Sequence, residues 1–476
     1  MTLRVYNTLT GSKEEFETIE EGKVKIYSCG PTVYDYFHIG NARAFVVPDI
    51  IKRYLEYKGY QVTHVLNFTD VDDKMIKRAD EEGINIQQLA DRFITAFFED
   101  AQALNLKKAD FYPQATEHIS EMIELIKDLL TKDYAYQSEG DVYFRIEKFD
   151  DYGKLSKQKV EDLEAGARVD VSNKKENPLD FTLWKRASEE PRWDSPWGAG
   201  RPGWHLECSV MSRKYLGDRF DIHTGGVDLV FPHHENEIAQ SEACCGQQVV
   251  NYWLHNGYIN IDGEKMSKSL GNFFTTREIL SKYPAKVVRL FLIAKHYRSP
   301  INFSDQELEN TATGLARLEN AIEKINYLVE QEAVAGQLDG TELKELATEK
   351  KEKFMAAMDD DFNTALAIGA LYELAKEVNR FVNSEDFELT QSVKEVLVEI
   401  EQLFKELGED VLGIELTAEA GKDEQLVDSL VELLLDVREE AREKQEYQLA
   451  DQIRDRLSEL GVEVKDTPQG SQWKLS

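Results

Sequence analysis

The sequence predicts an α/β protein whose parallel sheet is split by an insertion and is followed by a helical bundle and a small C-terminal module. Three observations carry this. Residues 24–68 read strand, glycine turn, helix, strand, a βαβ unit that demands a parallel sheet. A strand-like pattern resumes at 252–261 after a long polar and aromatic interruption. From Asp305 onward apolar residues recur three and four apart, the mark of amphipathic helices.

The first strand, residues 24–29, alternates faces and stops at Gly30 and Pro31. T-V-Y-D-Y-F-H-I-G-N fills 32–41, and a helical pattern follows with Phe45, Ile50, Ile51, Tyr54 and Leu55 apolar. A β-branched run at 61–68 makes the second strand. Ligands of such sheets collect at the carboxyl ends of the strands, which singles out Cys29 and His38. His38, Ile39, Gly40 and Asn41 stand where the helix begins, and a helix start offers N–H groups and a positive dipole end to phosphate. The plainer reading of that tetrapeptide is an N-cap with a surface histidine. Asp70, Asp72 and Asp73 follow the second strand; helix capping explains them better than a metal site.

Residues 80–135 read as helical, with Ile119, Met122, Ile126 and Leu129 on one face, and 141–146 as a strand. We read roughly 100–200 as an insertion between two halves of one sheet domain. The densest chemistry lies at 203–240, where Cys208, His205, His223, His233 and His234 crowd together with several carboxylates. Soft and borderline ligands at such density suggest zinc. His233 and Glu237 are four apart and share a helix face, Cys208 lies upstream, and Cys29 is the candidate for a fourth ligand. Spacing alone does not choose His233 over His234. A buried cysteine is ordinarily a small hydrophobe, but five of the nine histidines fall at 38, 205, 223, 233 and 234. Cys244 and Cys245 are adjacent, a poor spacing for one metal, and read as structural. Residues 262–272 form a loop whose Lys265 and Lys268 could neutralise phosphate charge; a solvated basic turn is the plain alternative.

Three apolar faces follow: Leu308, Leu315, Leu318, Ile322, Ile325 and Val329; then Ala367, Leu371, Leu374, Val378 and Phe381; then Val393, Val396, Ile400, Leu403 and Leu407. They describe a bundle. Residues 408–425 read as an acidic, glycine-containing linker. In the last module Ala450, Ile453, Leu457 and Leu460 share a face. Arg438, Arg442, Arg454, Arg456 and an exposed Trp473 could meet nucleic acid by charge and stacking, or the arginines could simply pair with interleaved glutamates.

Bulk properties bound the function. At 476 residues, 42% hydrophobic and 31% charged, the chain suits several globular domains. Residues 1–10 lack a signal-peptide apolar stretch, and no run of 18 apolar residues exists, so no membrane association is expected. Four cysteines suit a reducing, cytoplasmic compartment. A net charge of −32 excludes a general nucleic-acid coat protein and leaves room only for local basic patches.

The pair H-I-G-N and K-M-S-K-S on a split nucleotide-binding sheet resembles the class I aminoacyl-tRNA synthetases. C-G-P-T-V-Y-D, T-D-V-D-D-K, G-W-H-L-E-C-S, F-P-H-H-E-N-E-I-A-Q and the closing D-T-P-x-G narrow the resemblance to the cysteinyl-tRNA synthetase family. It extends over nearly the whole chain; Ser471 and Lys474 depart mildly from the family's usual Thr and Arg. The resemblance implies a Rossmann-like catalytic half at 1–100, a connective insertion at 101–200, a second catalytic half with zinc and the KMSKS loop at 201–270, a linking region at 271–305, a helical bundle at 306–407 and an anticodon-binding tail at 425–476. It implies one zinc on Cys29, Cys208, His233 and Glu237, and so selects His233. It implies catalytic roles for His38, Lys265 and Lys268, ATP contacts from His38, Gly40, Asn41, Asp228 and Lys268, and a cysteine pocket involving Cys29, Gly30, Trp204, His205 and His223. Asp228 would hold either the ATP ribose or the substrate ammonium. The implied partners are tRNA(Cys), ATP with Mg²⁺ and L-cysteine, and a monomer is expected. A cysteine ligase acting on an amino sugar and a non-charging tRNA-binding regulator are the rival readings. The long tail argues against the first, and the intact His38, Lys265, Lys268 and ligand set against the second.

Overall fold

The computed structural model describes residues 2–159, 174–261, 264–265, 274–416, 420–444, 446–467 and 470–475. It divides into two units, Met1–Leu416 and Thr417–Ser476.

The first unit is built on a four-stranded, wholly parallel sheet. Its order is Val250–Asn256, Phe220–Gly226, Lys23–Ser28, Gln61–Leu66. The register pairs Ser28 with Thr224 on one side and with Leu66 on the other, so all carboxyl ends finish on one edge. The helix Ile39–Tyr57 crosses from the first strand to the second. It is buried on nearly every side, and its charges are spent internally. Arg43 donates to the carbonyls of Gly257 and His296, and Asp49 accepts from Arg53 and Arg289. The Phe220–Gly226 strand, F-D-I-H-T-G-G, reads as polar, yet all its residues but the last are buried, because the sheet is covered on both faces.

The helical expectation for 80–135 needs correction. Helices Asp73–Glu82, Ile86–Ala103 and Ile119–Thr131 are separated by an irregular stretch. There Asn105 takes a positive φ of 53°, and Phe111 and Gln114 bridge to Val65 and Phe68. Backbone hydrogen bonds to the sheet edge replace those a helix would supply. The strand expected at 141–146 is Asp141–Phe144. It lies in an antiparallel sheet with Ala135–Ser138, Phe181–Arg186 and Gly200–Pro202, the last two in a segment that composition left featureless.

The bundle comprises Asp305–Glu330, Thr341–Asp359, Thr364–Val382 and Gln391–Phe404. Leu308, Leu315, Leu318, Leu371, Leu374, Val393 and Ile400 are buried on the faces their spacing indicated. Thr341–Asp359 escaped notice because its core residues, Leu343, Ala347, Phe354 and Met358, are diluted by a lysine- and glutamate-rich run. The presumed linker begins too early: Leu412, Ile414 and Leu416 are buried in the first unit's core. No helix among the described residues is long and apolar enough to cross a membrane.

The second unit has helices Ala420–Glu443 and Tyr447–Glu459 and the hairpin Val462–Thr467 with Gly470–Leu475. Its core joins Val431, Leu435, Leu457 and Val462, with Ile453 and Trp473 packed against them. Two expectations change. Leu460 is 78% exposed and does not share the core face, and Arg438 is buried, which removes it from the expected surface, while Trp473 is half-buried against the core.

Candidate active site and metal centre

Four strand ends and one helix start meet at a cleft of about 590 Å³, a size suited to a small ligand or cofactor. Cys29 and Gly30 follow the first strand; Asn67 and Thr69 follow the second. Gly226, Asp228 and Leu229 follow the third, and Asn256, Gly257 and Tyr258 the fourth. Gly30 has to be glycine: a Cβ there would lie 1.5 Å from the Asn67 carbonyl oxygen. Its N–H donates to Asn67 Oδ1 at 3.0 Å, which pins the turn after Ser28.

At one end of the cleft, His38 is the N-cap of the Ile39–Tyr57 helix. Its Nδ1 accepts from the Asn41 N–H at 3.2 Å while Asn41 Oδ1 accepts from the His38 N–H at 3.3 Å, a reciprocal capping box. Accepting at Nδ1 places the ring proton on Nε2. His38, Gly40 and Asn41 all line the cleft. His38 therefore caps the helix and faces the cleft at once.

At the other end lie the soft ligands. Cys29 Sγ is 3.6 Å from Cys208 Sγ, 3.2 Å from His234 Nε2 and 3.8 Å from Glu237 Oε1. His233 Nε2 is 3.7 Å from Cys208 Sγ and 2.8 Å from Glu237 Oε1. Two overlapping sets have donor atoms within 4.8 Å of one another: Cys29, Cys208, His233 and Glu237, and Cys29, His223, His234 and Glu237. Cys29, Cys208 and His233 line the cleft, whereas His223 and His234 do not, so the first set is the one that opens on the cleft. Burial and the neighbouring groups set the protonation of the cluster. Burial pushes Cys29 up, and the neighbouring sulfur adds to it. Burial also opposes ionisation of Cys208, but the Cys29 thiol donating to it and His233 beside it bring it to about 7. Burial would lower His233, yet Glu237 and Cys208 raise it to about 10. In other words, a proton on His233 supplies positive charge that two sulfurs and a carboxylate otherwise lack.

The residues behind this cluster fix its orientation. His205 Nδ1 is 2.8 Å from His233 Nδ1, and His223 Nε2 is 2.8 Å from Glu237 Oε2. His234 Nδ1 meets His255 Nε2 at 2.7 Å, and His255 Nδ1 meets Thr8 Oγ1 at 2.8 Å. Neither His205 nor His223 lines the cleft directly; the ring of His205 is turned toward His233 and that of His223 toward Glu237. Trp204 does line the cleft; it is 44% exposed, with its ring 4.1 Å from that of His233. Asp228 lines it too, folded over Gly226, where a Cβ would meet its Oδ1 at 2.5 Å.

The Asp70 to Lys74 stretch behaves as capping and pairing. Asp72 caps the Asp73–Glu82 helix through the Lys74 N–H at 2.7 Å, Asp70 binds Thr116, and Asp73 meets Lys185 and Arg201. Lys74, Asn67, Thr69 and Tyr258 were missed as cleft residues. The strand-end rule, applied to the later strands as well as the first, would have found three of them. Of the two loop lysines, Lys265 lies on the short strand Glu264–Lys265, paired with Asn260 two residues from Tyr258; Lys268 lies outside the described residues.

Comparison with known proteins agrees over the whole chain. Residues 15–313 match the model of the class I (C) tRNA synthetase catalytic domain, 353–417 the DALR domain, and 427–473 the cysteinyl-tRNA ligase anticodon binding domain. The chain is 52% identical to a cysteine–tRNA ligase of Heliobacterium modesticaldum, covering 100% of both sequences. It is 53% identical to that of Caldicellulosiruptor saccharolyticus, covering 98% of this chain and 99% of that one. Among solved structures, Mycobacterium tuberculosis methionyl-tRNA synthetase in complex with methionyl-adenylate shares the fold at a TM-score of 0.65 and 16% identity, over 82% of this chain and 92% of that one.

Proposed function

The chain belongs to the cysteine–tRNA ligase family of class I aminoacyl-tRNA synthetases, and on that footing we propose that it activates L-cysteine with ATP and transfers it to the 3′-terminal ribose of tRNA(Cys). In the first step the cysteine carboxylate attacks the α-phosphorus of ATP, forming cysteinyl-adenylate and releasing diphosphate. In the second a ribose hydroxyl of the terminal adenosine attacks the adenylate carbonyl and AMP leaves. The observation that carries this reading is the single cleft with a phosphate-suited helix start at one end and a thiol–imidazole–carboxylate cluster at the other.

Cys29, Cys208, His233 and Glu237 fit one zinc ion, since two sulfurs, an imidazole and a carboxylate are its usual donors. When bound, zinc would supply a soft Lewis acid for the substrate thiolate, separating cysteine from serine where an apolar pocket gives only about 1–3 kcal/mol. Trp204 covers that end of the cleft and would exclude water from the bound side chain. Asp228 accepts from either the substrate ammonium or the ATP ribose. ATP enters as its Mg²⁺ complex. His38 donates from Nε2 to the phosphate oxygens, the Gly40–Asn41 backbone approaches them, and Lys265 and Lys268 close over the departing diphosphate. No protein nucleophile is required, so catalysis rests on positioning and charge. The second unit reads the anticodon.

The deciding experiment is charging of unfractionated tRNA with labelled cysteine, with and without a zinc chelator, and with serine as control. We expect zinc-dependent cysteine charging and no serine charging. Diphosphate release driven by cysteine without charged tRNA would overturn the proposed acceptor.

A further inference from the structure

A second cavity, of about 330 Å³, lies beside the strand Gln61–Leu66 and has no part in the chemistry above. Its walls are aromatic: Phe45, Phe97, Phe98 and Tyr112 line it, with Phe98 and Tyr112 edge to face at 4.9 Å between ring centroids. Exposed faces and edges of such rings offer favourable stacked or edge-to-face contacts to another aromatic ring. The polar lining is selective. Both oxygens of Asp49 are taken, by the Lys107 N–H on one side and by Arg53 and Arg289 on the other. At the rim Lys107 pairs with Glu56; the Lys108 carbonyl accepts from Lys52 at 3.0 Å, but its exposed ammonium has no hydrogen bond or ion pair among the described residues. His64, 4% exposed, also lines the cavity; its Nε2 meets Ser28 and its Nδ1 has no partner among the described residues. A slot for a ring, a spare cation at the mouth and a neutralised carboxylate favour an aromatic acid over an aromatic amine.

One wall is shared. Phe45, on the Ile39–Tyr57 helix, lines both this cavity and the substrate cleft. We propose that the cavity is a second ligand site, for a small aromatic anion, and that Phe45 couples its occupancy to the cleft. A ring seated against Phe45 restricts the positions that side chain can take, and the cleft wall changes with it. The coupling is reciprocal: ATP alters the affinity for the anion by the same factor.

The probe is 8-anilinonaphthalene-1-sulfonate, an aromatic anion with a planar naphthalene ring, titrated by fluorescence into the zinc-loaded full chain. One saturable site is expected, and it persists when ATP and cysteine fill the cleft. Ala101→Phe, which fills the cavity, is expected to weaken binding more than about tenfold, and Lys108→Glu by about fivefold. In the unmodified chain the probe is expected to change the Kd for ATP, measured by calorimetry without cysteine, at least about twofold, and in Ala101→Phe to leave it unchanged. Competitive displacement by ATP, absence of a saturable site, or equal binding to both variants would overturn the site. Binding without any change in the Kd for ATP would overturn the coupling. Should Ala101→Phe fail to fold, Lys108→Glu, a surface change, carries the test: unaltered affinity there removes the anionic class.

Discussion

At the scale of single residues, the cluster around Glu237 shows how side chains that would never touch a metal can orient those proposed to hold it. If His233 is to offer Nε2 as a ligand, its proton must sit on Nδ1, and that nitrogen is 2.8 Å from His205 Nδ1. His205 can accept because burial, with His233 beside it, drives its own protonation down to about 3, so it stays neutral. His205→Ala is therefore expected to weaken zinc binding by about 10–100-fold in competition with a chelator, while the four ligand residues remain. Cys208→Ser acts on a ligand directly, and we expect zinc content and cysteine-over-serine selectivity to fall together; stoichiometric zinc in that variant would refute the ligand set. His64 makes a different prediction. Burial, with Lys52 nearby, lowers it to about 3, whereas an unfolded histidine titrates near 6.5. Between those values the unfolded chain binds a proton that the folded chain refuses, so stability present above about pH 6.5 is lost as pH falls, by about 2 kcal/mol at pH 5. His64→Gln should flatten the urea midpoint against pH by one proton over that range.

At the scale of elements, the helix Ile39–Tyr57 joins the cleft to the rest of the first unit through buried charge. Asp49, 3% exposed, receives Arg53 from its own helix and Arg289 from the helix Ala285–Ile293, while Arg289 also donates to the Leu412 carbonyl. Burial raises the Asp49 carboxyl, but the two guanidiniums more than offset this and hold it below the usual range. Removing the carboxylate leaves two buried cations facing each other, so Asp49→Ala is expected to cost about 3–5 kcal/mol of unfolding free energy, measured by urea denaturation. The elements also show where sequence is legible. Cys29, Cys208, His233 and Glu237 stood out because their types are rare and chemically specific. Asn67, Thr69 and Tyr258 are ordinary residues whose importance comes only from lying just past strand ends that meet on one edge. The strand Phe220–Gly226 was hidden because burial on both faces removes the alternation by which a strand is read, and Thr341–Asp359 because its surface charges swamp a sparse apolar stripe. For His205 and His223 the sequence shows nearness to the candidate ligands but not the direction of each ring, which the fold turns toward His233 and Glu237.

At the scale of the whole molecule, the proposed reading puts adenylate formation and tRNA selection on different units. Every described cleft residue and all four proposed ligands lie within Met1–Leu416. Leu412, Ile414 and Leu416 complete that unit's core, so the natural break follows Leu416 and not the acidic stretch that begins at Gly408. The second unit has its own small core of Val431, Leu435, Leu457 and Val462 and matches the anticodon-binding model over 427–473. Ending the chain after Leu416 should therefore leave cysteine-dependent exchange of diphosphate into ATP within about twofold of the full chain, because no group assigned to the first step is lost. The same truncation should lower kcat/KM for tRNA charging by at least about 100-fold, since contacts worth about 3 kcal/mol or more disappear from the transition state of the second step. A cut after residue 407 should instead damage both activities, by exposing the core that Leu412, Ile414 and Leu416 close and by taking away the Leu412 carbonyl that Arg289 uses. Equal loss of exchange in the two truncations would show that the tail supports the cleft directly, and the division of labour between the units would then have to be abandoned.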